Sequence, residues 1–185
     1  AAQHYEELGA NVEEVGPVFD PLRPIFEDYW KAGFGYILRQ IPEEKREDLD
    51  PGFRSLAEEG LDVEIETYYK AASARVALGS KVEQFFDQYD LLITPTMPST
   101  APRANITYHS PEFDRWRDAT AYTVPFNLTG HPGASIPVGF GKNGLPVGLQ
   151  IVGKRFNERL ILQAAYAYEA AFGDSDPLHK LIESF

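Results

Sequence analysis

Apolar residues recur at helical spacing in three stretches of the chain. Residues 25–40 predict an aromatic-rich helix, although its two glycines each weaken it by about 1 kcal/mol relative to alanine. Residues 62–89 predict a longer helix, because apolar side chains follow one another mostly three or four positions apart. A third helix is predicted to follow Asn157 as its N-cap and to be stopped by Gly173.

Continuous or alternating apolar runs predict the strands. Residues 91–94 are short enough for a buried strand and are followed at once by prolines. Residues 134–140 and 145–152 flank a G-K-N-G sequence suited to a tight reversal, which predicts a hairpin. Pro137 and Pro146 cannot donate ladder hydrogen bonds, so we expect each at an edge, an end or a bulge.

The beginning of the chain predicts the end of a helix followed by a short strand. Residues 4–10 have the pattern of last helical turns stopped at Gly9, and residues 12–15 are a strand candidate. A domain seldom opens in this way, so we expect the chain to begin inside a larger protein. No signal peptide is visible at this end.

The order of these elements predicts an α/β fold in which helices cover a mixed sheet. Residues 17–60 are a mixed region, and residues 42–50 are mostly charged and predict a solvated connection. We therefore describe residues 1–61 as an acidic helical region and residues 173–185 as a tail after the last predicted helix.

Charge and composition exclude several classes of protein. The chain of 185 residues has a formal net charge of −11, and residues 1–64 alone carry 16 acids against 6 bases. Nucleic-acid binding requires lysines and arginines that displace counterions, so nucleic acid is not an expected partner. No apolar run approaches the length of a membrane span. The absence of cysteine excludes a thiolate nucleophile and fits a cytoplasmic location.

Local chemistry alone indicates no catalytic machine. Ser135 lies in G-A-S-I-P, which has proline where a nucleophile elbow has its second glycine, so a structural role is favoured. The four histidines are scattered, without metal-ligand spacing. His131 lies between Gly130 and Pro132, and packing or capping is favoured over substrate contact. A G-x-G-x-x-G match at 139–144 precedes a strand instead of a helix and is discounted as a phosphate site.

Three motifs together resemble the amidase signature family. They are YDLLITPTMP at residues 89–98, TVPFNLTGHPG at 123–133 followed by SIPVG, and GLPVGLQIVG at 144–153. The resemblance is strong over about residues 62–172 and implies the C-terminal part of the amidase signature fold. It also implies hydrolysis of a carboxamide by a serine nucleophile in a Ser–cis-Ser–Lys triad, with no cofactor or metal.

The family's Gly/Ser-rich signature and its preceding lysine have no counterpart in this sequence. No residue here can be assigned to the triad, so the chain alone is expected to be inactive. Its partner would be a small-molecule amide bound together with a missing N-terminal half, and a homo-oligomer stays open. The resemblance places residues 94–103 and 116–131 near the substrate channel. The substrate-pocket candidates there are Trp116, Thr120, Tyr122, Phe126, Asn127 and His131.

Two other functions stay open at this point. One is a non-catalytic binding or scaffolding module with an amidase-like fold. The other is the amidase subunit of an amidotransferase, in which an acidic residue five positions before the proline of the second motif holds the substrate's amino group. Counting back from Pro125 reaches Thr120, with Asp118 two positions earlier. This departure favours a stand-alone amidase.

Overall fold

The computed structural model describes residues 1–19, 22–102 and 120–173. They form six α-helices and a short 3-10 helix at Glu43–Asp48. The α-helices are α1 (Ala2–Glu7), α2 (Arg23–Gln40), α3 (Pro51–Leu61), α4 (Ile65–Phe85), α5 (Val124–Thr129) and α6 (Glu158–Phe172). The strands are β1 (Leu91–Pro95), β2 (Gly133–Phe140) and β3 (Pro146–Gly153).

The three described strands form one sheet in the order β1-β3-β2, and both pairings are antiparallel. The α/β class is confirmed, whereas the mixed pairing expected from the sequence is not seen among the described strands. The hairpin reverses the chain between β2 and β3, and β1 pairs with the opposite edge of β3 while running in the same direction as β2. Each neighbouring pair is therefore antiparallel.

Both faces of the sheet are covered by helices. Ile151 and Val152 are adjacent in the central strand, point to opposite faces and are both 0% exposed. The α6-side core lies against one face and consists of Tyr5, Ile136, Leu149, Ile151, Ile161, Ala165 and Tyr168. The α4-side core lies against the other and consists of Phe26, Leu78, Val82, Phe86, Val124, Phe126, Leu128 and Val152.

The prolines of the hairpin lie where the sequence predicts them. Pro137 is in β2, which is an edge strand of this sheet, and the register shifts between Pro137 and Phe140. Pro146 is the first residue of β3. Neither proline therefore interrupts a central ladder, and the predicted hairpin is confirmed.

Residues 51–61 form a helix, whereas the sequence pattern predicted only a mixed region there. Asp50 caps it, since one carboxylate oxygen accepts hydrogen bonds from the backbone N–H groups of Gly52 and Phe53 at 2.9 and 3.0 Å. Pro51 occupies the first turn, where a missing N–H costs nothing. The Asp-Pro pair was the local signal for this helix.

Helices α2 and α3 pack with their backbones in close approach. A Cβ on Gly60 would lie 1.8 Å from the Lys31 carbonyl oxygen, and one on Gly35 would lie 2.3 Å from the Gly60 carbonyl carbon. The side chain of Lys31 also pairs with Glu59 at 2.6 Å. Gly35, which weakens α2 as an isolated helix, is therefore required where α3 crosses it.

The other predicted elements agree with the structure except at their boundaries and in one strand. The predicted helix over 25–40 is α2, and the one over 62–89 is the shorter α4. Residues 12–15 form no strand; Val12 instead packs against the α6-side core. Residues 43–48 of the predicted connection form the 3-10 helix. None of the helices in the described ranges is long and apolar enough to span a bilayer.

Candidate functional site

A cavity of about 100 Å³ lies where α2, α4 and α5 converge. The aromatic side of its wall comes from α2, and the polar side comes from one residue of α4 and one of α5. Its lining residues are Phe26, Tyr29, Trp30, Arg75, Val124, Asn127 and Leu128. No carboxylate is among these lining residues, although the chain as a whole is strongly acidic.

The short helix α5 presents Asn127 at this cavity. Pro125 lies in its first turn, and it ends at Gly130, whose φ of 69° is left-handed. The Gly130 and His131 N–H groups both donate to the Phe126 carbonyl, at 2.8 and 3.2 Å. The sequence pattern predicted no helix over this segment. The six residues of α5 are too few for their apolar spacing to show a helical period. The helix is ended by Gly130 in its left-handed conformation.

Arg75 joins the three helices at the cavity. Its Nε donates to the Leu128 carbonyl, its Nη1 donates to the Tyr29 hydroxyl at 3.1 Å, and its guanidinium lies 5.2 Å from the centre of the Tyr29 ring. No carboxylate pairs with Arg75 among the described residues. The guanidinium therefore contributes a positive charge to the cavity that no carboxylate of the described residues balances.

Asn127 adds a second polar group to the cavity. It is exposed, and its side-chain amide has no hydrogen-bond partner among the described residues. A carboxamide of this kind can both donate and accept hydrogen bonds. The cavity thus combines aromatic walls with a cation and an unused amide.

A second polar cluster fixes the end of α5 from behind. Arg155 donates to the Thr129 carbonyl through Nε at 3.1 Å and Nη2 at 2.6 Å. His131 binds the Thr129 hydroxyl through Nδ1 at 2.8 Å and the Glu83 carboxylate through Nε2 at 3.0 Å. The carboxylate can only accept, so Nε2 carries a proton, while the Thr129 hydroxyl lies between Nδ1 and the Phe126 carbonyl, which is 3.4 Å from it.

The surroundings of His131 favour its neutral form. Its side chain is 0% exposed, and burial lowers its pKa; the hydrogen bond to Glu83 works in the opposite direction, while the charge of Arg155 lowers the pKa further. The ring contacts Phe86 of the α4-side core, with centroids 5.6 Å apart. In this position His131 holds the turn after α5 and does not line the cavity.

Gln150 ties the turn before α5 to the sheet. It is 7% exposed, and its Nε2 donates to the Thr94 hydroxyl and to the Tyr122 carbonyl, both at 2.9 Å. Ser135 lies beside Gln150 in the register, and its hydroxyl bonds that of Thr96 at 2.7 Å. No histidine or lysine bonds Ser135 among the described residues, so nothing there would activate it.

The six predicted pocket residues fall in different environments. Trp116 lies outside the described residues. Thr120 and Tyr122 lie in the turn before α5, where the Thr120 carbonyl accepts from the Thr123 N–H at 3.1 Å and Tyr122 is 38% exposed. Phe126 is 5% exposed in the α4-side core, and only Asn127 of the described candidates lines the cavity.

The residues that α2 and α4 contribute to the cavity were not predicted from the sequence. Arg75 falls on the buried stripe of α4, four residues after Ala71, three before Leu78 and seven before Val82. Its exposed neighbour Val76 fits the helical period equally well, so the sequence did not mark Arg75 as core-facing. Tyr29 and Trp30 gave no separate signal, because aromatic residues at helical spacing usually belong to a core.

The described residues contain no group of three or more His, Asp or Glu side chains arranged to hold a metal ion. Every site described above is therefore built from hydrogen-bonding groups and apolar surface.

Comparison with known proteins gives the family. The family model described as Amidase matches residues 32–162. Among curated relatives, a Glutamyl-tRNA(Gln) amidotransferase subunit of Streptococcus pneumoniae is 34% identical over an alignment of 205 positions, covering 92% of this chain and 39% of the relative. The subunit of the same name from Brevibacillus brevis is 42% identical over 106 residues, covering 57% and 21%.

Solved structures show the same fold. A crystal structure of an amidase superposes with a TM-score of 0.81 at 24% identity, covering 92% of this chain and 40% of that one. The corresponding Glutamyl-tRNA(Gln) amidotransferase subunit of Thermotoga maritima superposes with a TM-score of 0.64 at 30% identity, covering 91% and 36%. The chain thus spans about two-fifths, or less, of the length of these proteins. With the family model matching most of its residues, the chain belongs to the amidase family.

Proposed function

We propose that this chain forms the C-terminal, substrate-facing part of an amidase signature hydrolase. The reaction is cleavage of a carboxamide C–N bond by water, which yields a carboxylate and ammonia or an amine. The observation that carries the proposal is the family match over residues 32–162, a range that contains all three sequence motifs. A single domain over residues 1–185, with its core at 62–172, is part of the same proposal.

The nucleophile of this reaction is proposed to come from sequence beyond these residues. The chain has no Gly/Ser-rich run, and the Ser135 hydroxyl is bonded only to Thr96 among the described residues. A serine without a neighbouring base is a weak nucleophile at neutral pH. The chain by itself should therefore not turn substrate over.

Within the complete site, Asn127 is proposed to contact the substrate directly. Its amide lines the cavity and has no partner among the described residues, so it is available to a bound ligand. Thr120 and Tyr122, together with Trp116, are proposed to wall the approach. Phe126 and His131 are proposed to position the α5 segment, because both are buried behind it.

The experiment uses the protein encoded by the complete gene and follows ammonia release from a panel of simple aliphatic and aromatic amides. We expect Asn127→Ala to lower kcat/KM by at least about tenfold, whereas Asn157→Ala, at a helix N-cap without a side-chain bond, should leave it unchanged. A gene without a Gly/Ser-rich signature, or a protein that hydrolyses no amide, would contradict the proposal and favour a binding module.

The second candidate is the amidase subunit of an amidotransferase. It is supported by the Streptococcus pneumoniae relative, which aligns with 92% of this chain. Against it stands Thr120, at the position where the resemblance implies an acidic residue. Glutamine as the preferred substrate would support this candidate, and we then expect Thr120→Asp to lower KM for glutamine. A preference for amides without an amino group would exclude it.

A further inference from the structure

The cavity between α2, α4 and α5 has the chemistry of a ligand site in its own right. Its polar groups are the Arg75 guanidinium and the Asn127 amide, which approach it from different helices. Arg75 uses Nε and Nη1 on Leu128 and Tyr29, and its remaining N–H groups have no partner among the described residues. Both residues therefore retain hydrogen-bonding capacity at one place.

The charge at this place is positive in a chain that is otherwise acidic. The net charge is −11, and several other bases pair with acids, among them Lys31 with Glu59 at 2.6 Å and Lys154 with Asp87 at 2.8 Å. Arg75 is half-buried and has no such partner in the described part of the chain. A half-buried cation without a counter-charge is costly, and an anionic ligand would relieve that cost.

The cavity walls favour a ligand that contains an aromatic ring. Phe26, Tyr29 and Trp30 line one side, and a cavity of about 150 Å³ is known to hold a benzene molecule. The volume here is about 100 Å³. It accommodates a carboxylate and part of a ring, and the rest of the ring would extend past the exposed Asn127.

We propose that this cavity binds a small aromatic carboxylate. The carboxylate pairs with the free N–H groups of Arg75, its second oxygen accepts from the Asn127 amide, and the ring packs on Tyr29 and Trp30. Binding of this kind needs no nucleophile. The site shares Asn127 with the amide site proposed above, but it is measured as binding, so its outcome does not depend on turnover.

The test is a fluorescence titration of the 185-residue chain. The chain has two tryptophans, so it is titrated both unchanged and as Trp116→Phe, in which Trp30 is the single reporter; since Trp116 is proposed to wall the approach, variants are compared within one background. Benzoate is the probe, benzamide has the same shape without the charge, and acetate has the charge without the ring. We expect a saturable change in Trp30 emission with benzoate, at least about tenfold weaker binding of each of the other two, and competition between benzoate and acetate.

Substitutions assign the site. Arg75→Met should weaken benzoate binding at least about tenfold without changing that of benzamide, and Arg159→Met, an exposed arginine on α6, should change neither. Asn127→Asp serves if Arg75→Met fails to fold, because the residue is exposed and the new charge should repel benzoate alone; Asn157→Asp is its control. Equal affinity for benzoate and benzamide, a response that does not saturate, or indifference to both substitutions would overturn the proposal.

Discussion

The two hydrophobic cores of this molecule share a sheet but are held in different ways. The α6-side core is closed mainly by side-chain packing, with polar contacts from two tyrosines: the Tyr5 hydroxyl donates to the Ala164 carbonyl at 3.2 Å, and the Tyr168 hydroxyl bonds His4 Nδ1 at 3.1 Å. The α4-side core is bordered by Arg75, Arg155 and His131, all bonded to the end of α5. Apolar packing therefore builds the first region, and side-chain bonds to backbone carbonyls shape the second around a cavity.

This difference separates stability from binding. On the α6 side, the sheet and helix are joined mainly by apolar contact. On the α4 side, polar side chains lie beside a cavity. Two of them, Arg75 and Asn127, have N–H groups there without a partner among the described residues. Sites are commonly built in this way, at some cost in packing.

The largest expected effect is on the packed side. Ile151→Ala removes a side chain that is 0% exposed in the central strand, and we expect a loss of about 2–5 kcal/mol in the free energy of unfolding, measured by urea denaturation. Leu162→Ala, 64% exposed on α6, is the control and should cost less than about 0.5 kcal/mol. Equal effects of the two would mean that the α6-side core is not closed by packing.

The next effect tests the polar side. Arg155→Met keeps much of the aliphatic stem but removes two hydrogen bonds to the Thr129 carbonyl, so we expect a loss of about 1.5–3 kcal/mol. Arg159→Met, exposed on α6, is the matched control in the same denaturation experiment. If Arg155→Met left the free energy of unfolding unchanged, the end of α5 would be held by packing and not by these hydrogen bonds.

Alkaline pH should weaken the packed side through Tyr5. Burial raises the pKa of Tyr5 from 10.0 to about 12, with smaller contributions from Tyr168 and Glu169. The Tyr5 hydroxyl therefore loses its proton at a lower pH in the unfolded chain than in the folded chain. Its contribution to the free energy of unfolding is present below pH 10 and is lost as the pH rises toward 12.

At pH 11 the loss through Tyr5 should be on the order of 1 kcal/mol. Urea denaturation at pH 9 and 11 measures it, and Tyr5→Phe should remove that part of the pH dependence. The same alkaline loss in Tyr5→Phe would assign the effect to another group.

Acidic pH should weaken the polar side through His131, and this is the smallest effect. Burial lowers its pKa below 6.5, so on acidification the imidazole is protonated at a higher pH in the unfolded chain than in the folded chain. Stability from this group is complete above pH 6.5 and declines as the pH falls through the folded pKa. The charged groups around the ring are Glu83 and Arg155, with Lys154 bound to Glu83 at 3.8 Å and to Asp87 at 2.8 Å.

The measurement for His131 is the slope of unfolding free energy against pH from 7.5 down to 5, compared between the native chain and His131→Gln. We expect a steeper slope in the native chain. Identical slopes would mean that protonation of His131 is not linked to unfolding.

How far the sequence predicts the structure depends on the kind of signal. Hydrophobic periodicity located α2, α4, α6 and the hairpin, because each buries an apolar face long enough to show its period. The apolar pattern wrongly predicted a strand at residues 12–15, where Val12 packs against the α6-side core without strand pairing. It also missed α3 and α5, whose signals are an Asp-Pro cap and a terminal glycine instead of a long stripe.

The site shows the same limit. Asn127 was accessible to sequence reasoning through the motif in which it lies, and it does line the cavity. Arg75 and Tyr29 lie 52 and 98 positions away along the chain and meet it only after α2, α4 and α5 have packed. Their exposed neighbour Val76 fits the helical period equally well, so the period alone could not say which side of α4 faces inward.

The α/β class, the family and the absence of a Gly/Ser-rich nucleophile region from these residues can be read from the sequence alone, because they depend on periodicity and contiguous motifs. Three further features exist only in the folded chain: β1 and β2 flank β3, His131 is buried behind α5, and Arg75 and Asn127 share a cavity. Those facts depend on distances between residues far apart in the chain. Such distances are set by packing the sheet between two layers of helices.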